Sequence, residues 1–314
     1  MSKKPDKEYE ASLKSIETEN CIDRWFYRPI GFRIAKMLLN TAITPNMVTI
    51  ISVFIGVAAG PLFYYNNIIY TLFGILCLIV ANILDCVDGQ LARLSGIKSK
   101  IGRILDGLAG DIWFASIYIF LALRLNHEFD TWMFFIPAVL SAISHIIQAN
   151  ITDYYKTLHL YFISSEKGSE FQRLYKIREQ YENMNPGIEK ILFFFYMGYT
   201  SLQEAATPKL QRFLNKIYDV YKHHYIPNYT PDYIPDYMRE MFCRESKRLM
   251  KNVIDYMTFN GRIFILFIAV LTGYVWIYFF YEIIVLNIVL LIAIYKHEKI
   301  CVYYLEDEKD GIRH

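Results

Sequence analysis

Between Asn82 and Trp113 the chain reads NILDCVDGQLARLSGIKSKIGRILDGLAGDIW. Asp85, Asp88, Asp106 and Asp111 stand here between two apolar runs, Leu72–Val80 and Ile112–Leu123. A carboxylate at the centre of a membrane span costs ~2.5–3.5 kcal/mol. Several together, without a matching number of buried bases, point to a hard cation held by oxygen ligands. At about 100° per residue, Asp85, Asp88, Gly89 and Ala92 fall on one helical stripe, with Arg93 at its edge. On the next helix Gly102 and Asp106 share a face. The chemistry this pattern offers is a metal clamp on two facing helices. The small residues leave room for a flat or phosphorylated ligand, and Arg93 supplies a fork for phosphate oxygens.

The stretch resembles the CDP-alcohol phosphotransferases, whose signature is D-x2-D-G-x2-A-R-x8-G-x3-D-x3-D. Asp85, Asp88, Gly89, Ala92, Arg93, Gly102 and Asp106 match seven of its eight fixed positions. The eighth is Gly110, and the next acid, Asp111, comes one residue late. In the family the last aspartate is the proposed general base. On a regular helix Asp111 points about 140° away from Asp106. A one-residue π-bulge would bring it back; otherwise Asp111 has another partner, or another group is the base.

The resemblance implies transfer of a phospho-alcohol group from a CDP-alcohol to a second alcohol, with CMP leaving. It implies Mg2+ or Mn2+ on Asp85, Asp88 and Asp106, with Asp111 if the helix bulges. Asp106 and Asp111 are then the catalytic carboxylates. Gly89, Ala92 and Arg93 would bind nucleotide or phosphate. Asn46 and Thr49, in a T-P-N start to the first span, and the loop residue Ser99 are further nucleotide candidates. Capping by Thr44 explains T-P-N equally well. The donor is a CDP-linked alcohol and the acceptor an alcohol, one of them a membrane lipid. CDP-diacylglycerol with inositol phosphate is the first choice. Transfer from CDP-ethanolamine or CDP-choline to a lipid alcohol is the alternative. So is an inactive membrane scaffold lacking the last aspartate. A divalent-cation pathway through the aspartates leaves Gly89, Ala92 and Arg93 unused.

Positioning these groups demands membrane helices. The chain is 54% hydrophobic and 17% aromatic, a membrane-protein composition. Its net charge of +2 gives no case for nucleic acid as a partner. Five cysteines, none in C-x-x-C, indicate neither a disulfide framework nor a zinc site. The first twenty residues show no signal-peptide pattern.

The expected fold is an all-α integral membrane protein with six transmembrane helices, an N-terminal interfacial amphipathic helix and a helical cytoplasmic insert. Residues 1–46 form the cytoplasmic and interfacial start, with Ile22–Asn40 lying in the interface. Residues 47–164 hold spans one to four and the signature. Residues 165–260 form the cytoplasmic insert. It contains the run Ile191–Tyr199, too short to span. It also contains Tyr225–Tyr237, broken by Pro227, Pro231 and Pro235. Residues 261–297 hold spans five and six with a turn near Tyr281-Glu282, and 298–314 a cytoplasmic tail. In span four, His145, Gln148 and Thr152 share a stripe and are the candidate wall of an acceptor pocket. Arg262 would hold an acceptor phosphate or anchor the interface. Lys and Arg concentrate in the loops on one side, which places the signature, both termini and the insert in the cytoplasm. The family's dimerising habit leaves a homodimer open.

Overall fold

The computed structural model describes residues 7–13, 15, 19–97, 100–163, 171–222 and 236–311, and among these there is no β-strand. Ser99 lies outside the described residues, as do His223, His224 and the three prolines of the connector. The chain divides into two units, Met1–Ile146 with Phe259–Leu286, and Ile147–Thr258 with Asn287–His314.

The first unit begins with α1 (Lys7–Ser12), a π-turn at Asp23–Tyr27 and α2 (Arg28–Leu38). Then come α3 (Pro45–Tyr64), α4 (Ile68–Ser95) and α5 (Lys100–Glu128). The Thr44 side chain accepts from the Met47 N–H, with Pro45 in the first turn, so the T-P-N triplet does cap α3. Asn67 accepts from the Ile69 N–H and opens α4 in the same way. Arg124 of α5 is buried and donates to the Phe63 carbonyl and to Asn66 Oδ1 (2.7 Å), meeting the C-terminal end of α3.

Helices α3 and α5 approach closely because α3 carries glycine at the contact. A Cβ at Gly56 would collide with the Trp113 indole, and one at Gly60 with Ser116. Phe63, Leu78, Phe114, Ile117, Leu121, Leu266 and Tyr278 form the core of this unit.

The last apolar region differs from expectation. Helix α11 (Phe259–Thr272) stops at Gly273, whose φ of 83° is the left-handed conformation that glycine adopts without cost. The turn is therefore here. Tyr281–Val285 is a π-helical stretch inside one helical run, Trp276–Phe280 (α12) through Leu286–Gly311 (α13). Glu282 can stay inside a span because it is fully buried and paired with Arg262.

Among the described residues, five helices are long and apolar enough to cross a membrane: α3, α4, Ile104–Glu128 of α5, α6 (Phe135–Ile163) and Trp276–Val302. Helix α11 is apolar but only 14 residues long. The protein is an integral membrane protein with five candidate spans in place of the six expected.

The second unit contains α7 (Leu174–Glu182), α8 (Ile188–Ala206), α9 (Pro208–Lys222) and α10 (Asp236–Asn252), with the ends of α6 and α13. Phe162, Phe213 and Phe242 stack at its centre. Glu298 accepts from the Lys209 and Leu210 N–H groups, a carboxylate cap on α9.

Candidate active site

The end of α4 and the start of α5 bring three carboxylates together. Asp85, Asp88 and Asp106 each offer an oxygen, and these oxygens lie within 4.8 Å of one another. Asp88 is buried, Asp85 half-buried and Asp106 exposed, so the cluster opens in one direction. Helical spacing puts Asp85 and Asp88 on one face of α4, and the neighbouring helix supplies the third acid. Like charges this close repel strongly unless a cation or protons intervene. The donor set is oxygen only, which fits Mg2+ or Mn2+.

Thr49 belongs to this cluster. Its hydroxyl donates to Asp88 Oδ2 at 2.5 Å, orienting that carboxylate from α3. Asn46 is half-buried one turn earlier on α3. Gly89 and Ala92 are half-buried on α4. A Cβ at Gly89 would sit 3.1 Å from Arg93 Nη2, so the missing side chain gives the guanidinium its room.

Arg93 does not stand alone. Its Nε donates to the Ser12 carbonyl at 2.5 Å, and Gln90 Nε2 donates to Ser12 Oγ at 3.1 Å. The N-terminal segment thus docks on the signature helix, and Ser12 is fully buried there. Tyr27 is buried near Asn82, which lies one turn before Asp85, and burial pushes its phenol up to about 12. Ser12, Gln90, Tyr27 and Asn82 went unread in the sequence. Asn82 alone had a signal there, since it precedes Asp85 by three residues on the same stripe.

Asp111 faces elsewhere. Helix α5 is α-helical from Lys100 to Glu128 with no bulge, so the extra residue carries Asp111 round to another side. Its Oδ1 lies 3.6 Å from His145 Nε2, and His145 Nδ1 lies 3.0 Å from the Tyr118 hydroxyl. His145 is buried, with its ring 4.4 Å from that of Phe114. The three carboxylates that converge are therefore Asp85, Asp88 and Asp106, while Asp111 heads a chain of polar groups through His145 to Tyr118.

The remaining acceptor-pocket candidates belong to both units. Arg262 is buried and ion-paired with Glu282, which also accepts from the Tyr278 hydroxyl at 2.8 Å. Gln148 and Thr152 belong to the second unit. Gln148 donates to Asn287 at 2.9 Å, and Thr152 is buried.

Residues 42–167 match the family model described as CDP-alcohol phosphatidyltransferase. Over 91 residues the chain is 44% identical to an archaetidylinositol phosphate synthase of Pyrococcus horikoshii. That alignment covers 29% of this chain and 47% of the relative, so the chain spans about half the length of the curated relative it matches.

Proposed function

With residues 42–167 forming a CDP-alcohol phosphatidyltransferase domain, we propose that the protein moves a phospho-alcohol group from a CDP-alcohol to a second alcohol and releases CMP. The observation that carries this reading is the convergence of Asp85, Asp88 and Asp106 from two helices onto one point. Mg2+ or Mn2+, held by these three, would neutralise the pyrophosphate and the charge growing on the leaving CMP.

The protein's own groups do the rest. Thr49 holds the Asp88 carboxylate in place. The gap at Gly89 and Ala92 admits the cytidine part, and Arg93 takes a phosphate oxygen as its bond to Ser12 is exchanged. The acceptor hydroxyl attacks the phosphorus that carries the donor's alcohol. The bond between that phosphorus and the CMP oxygen breaks. We assign the hydroxyl proton to Asp111, on the His145 side of α5, which requires the acceptor to reach the phosphorus from that side. Gly110 offers no side chain for that task.

For substrates, we favour a CDP-linked lipid as donor and inositol phosphate as acceptor, the choice supported by the partial relative's name. One observation favours a second reading. Arg262, one of whose two expected roles was to hold an acceptor phosphate, is neutralised by Glu282. An acceptor without a phosphate, such as a lipid alcohol receiving a head group from CDP-ethanolamine or CDP-choline, needs no such base. The clustering of Lys and Arg supports a cytoplasmic catalytic face and cytoplasmic termini.

The test is incubation of the purified protein in lipid nanodiscs with Mn2+. One arm holds CDP-diacylglycerol with inositol phosphate, glycerol phosphate or serine. The other holds CDP-ethanolamine or CDP-choline with diacylglycerol. CMP and a new phospholipid in the first arm are expected. Product only in the second arm selects the second reading. No CMP in either arm, from protein that still binds Mn2+, leaves the inactive scaffold.

A further inference from the structure

We propose that α8, part of the polar insert, is bedded in the bilayer, with Ile191, Phe194, Phe195 and Leu202 against lipid acyl chains. The inference is independent of catalysis and rests on the second unit alone.

Helix α8 has two faces. Phe193, Thr200 and Gln203 are buried. Ile191, Phe194 and Phe195 are each more than half exposed, and Leu202 lies exposed on the same side. From Ile191 to Gln203 there is no charged side chain. A helix face turned to water carries charged residues, whereas this one presents bulky aliphatic and aromatic groups, with only the small residues Gly198 and Ser201 exposed among them.

Depth identifies what covers that face. Within the second unit, Gln148 of α6 bonds Asn287 of α13, and further along both helices the Tyr155 ring stacks on His297 at 3.9 Å. The two contacts occur in the same chain order, so α6 and α13 run parallel here. Asn150 lies between them and is level with the first turn after Asn287. At that level α13 exposes Ile288, Leu291, Ile292 and Tyr295, all within the candidate span Trp276–Val302. By length and composition this part of α13 belongs to a span, so lipid would meet its exposed side at this depth.

Asn150 is also where α8 is fastened. Asn150 Nδ2 donates to the Tyr199 carbonyl (3.0 Å), and Gln203 Nε2 donates to the Asn150 carbonyl (3.2 Å). One asparagine grips α8 by both its side chain and its backbone. The Tyr199–Gln203 turn is held at the level where α13 meets acyl chains, and the outward face of α8 is apolar there. Lipid is the occupant that matches both observations. Such an element widens the lipid-facing surface without crossing the bilayer.

The experiment places a photo-crosslinking benzoylphenylalanine at Phe195, and separately at Ile191, in the full chain. The protein is reconstituted in vesicles of phosphatidylcholine and phosphatidylglycerol. A third variant carries the probe at Arg244, an exposed position on α10. Lipid adducts at 195 and 191, and none at 244, are expected after irradiation. Adducts to a second copy of the chain would overturn the proposal, as would unreacted benzophenone without lipid adducts at both positions. If one variant fails to insert, the other still decides.

Discussion

At the residue scale, the carboxylate cluster and Asp111 have separate duties that mutation can separate. Asp88→Asn removes a negative charge and one oxygen from the cluster while leaving an amide oxygen that can still accept from Thr49. Turnover should fall about 100-fold or more, with loss of Mn2+ binding read by electron paramagnetic resonance and with the thermal transition retained. Asp111→Asn should cut turnover while leaving Mn2+ and CDP-donor binding intact, because Asp111 stands on another side of α5. Gly110→Asp then makes a rescue. Nothing lies within 4 Å of a Cβ at Gly110, and position 110 is one helical turn from Asp106. The double variant Gly110→Asp with Asp111→Asn should regain CMP release. Failure to regain it while the protein stays folded would remove the proton-acceptor role from this part of α5.

The four residues that matter most here were unevenly legible. Asp85 and Asp88 share a face as the helical period demands, and it was the resemblance to a family signature that joined Asp106 to them across two helices. The period put Asp111 off that face only on a regular helix, and it could not tell whether a bulge would return it to the site; its partner was hidden as well. His145 is on another helix, and spacing within one helix says nothing about contacts across two. The Ser12 carbonyl on Arg93 was beyond reach for a further reason, since a backbone oxygen leaves no trace in residue type.

At the element scale, close approach and buried charge set the helix arrangement. Gly56→Leu would drive a side chain into the Trp113 indole. Overpacking of this kind costs about 1–3 kcal/mol, and a lowered unfolding temperature in detergent would report it. Glu282→Leu leaves Arg262 buried without its counter-ion, which costs about 3–5 kcal/mol. Adding Arg262→Met should restore most of the loss, since an apolar pair fills the same space without desolvated charge. A double variant no more stable than Glu282→Leu would contradict the pairing seen here. The same pair explains why the turn was misplaced in the sequence. A glutamate in an apolar run reads as an exposed break, whereas Gly273 reads as an ordinary small residue inside a span.

At the scale of the whole molecule, α11 has a consequence for the membrane itself. Fourteen residues rise about 21 Å, against a hydrocarbon layer of about 30 Å. Were α11 to cross beside the five candidate spans, mismatch of this size would be relieved by a bilayer that pinches inward or by flanking residues that reach outward. A crossing α11 then predicts a higher unfolding temperature in bilayers of fourteen-carbon chains than in those of twenty-carbon chains, and equal temperatures would count against it. Among cellular membranes the protein would then partition toward the thinner ones, drawn by thickness alone and without a sorting signal.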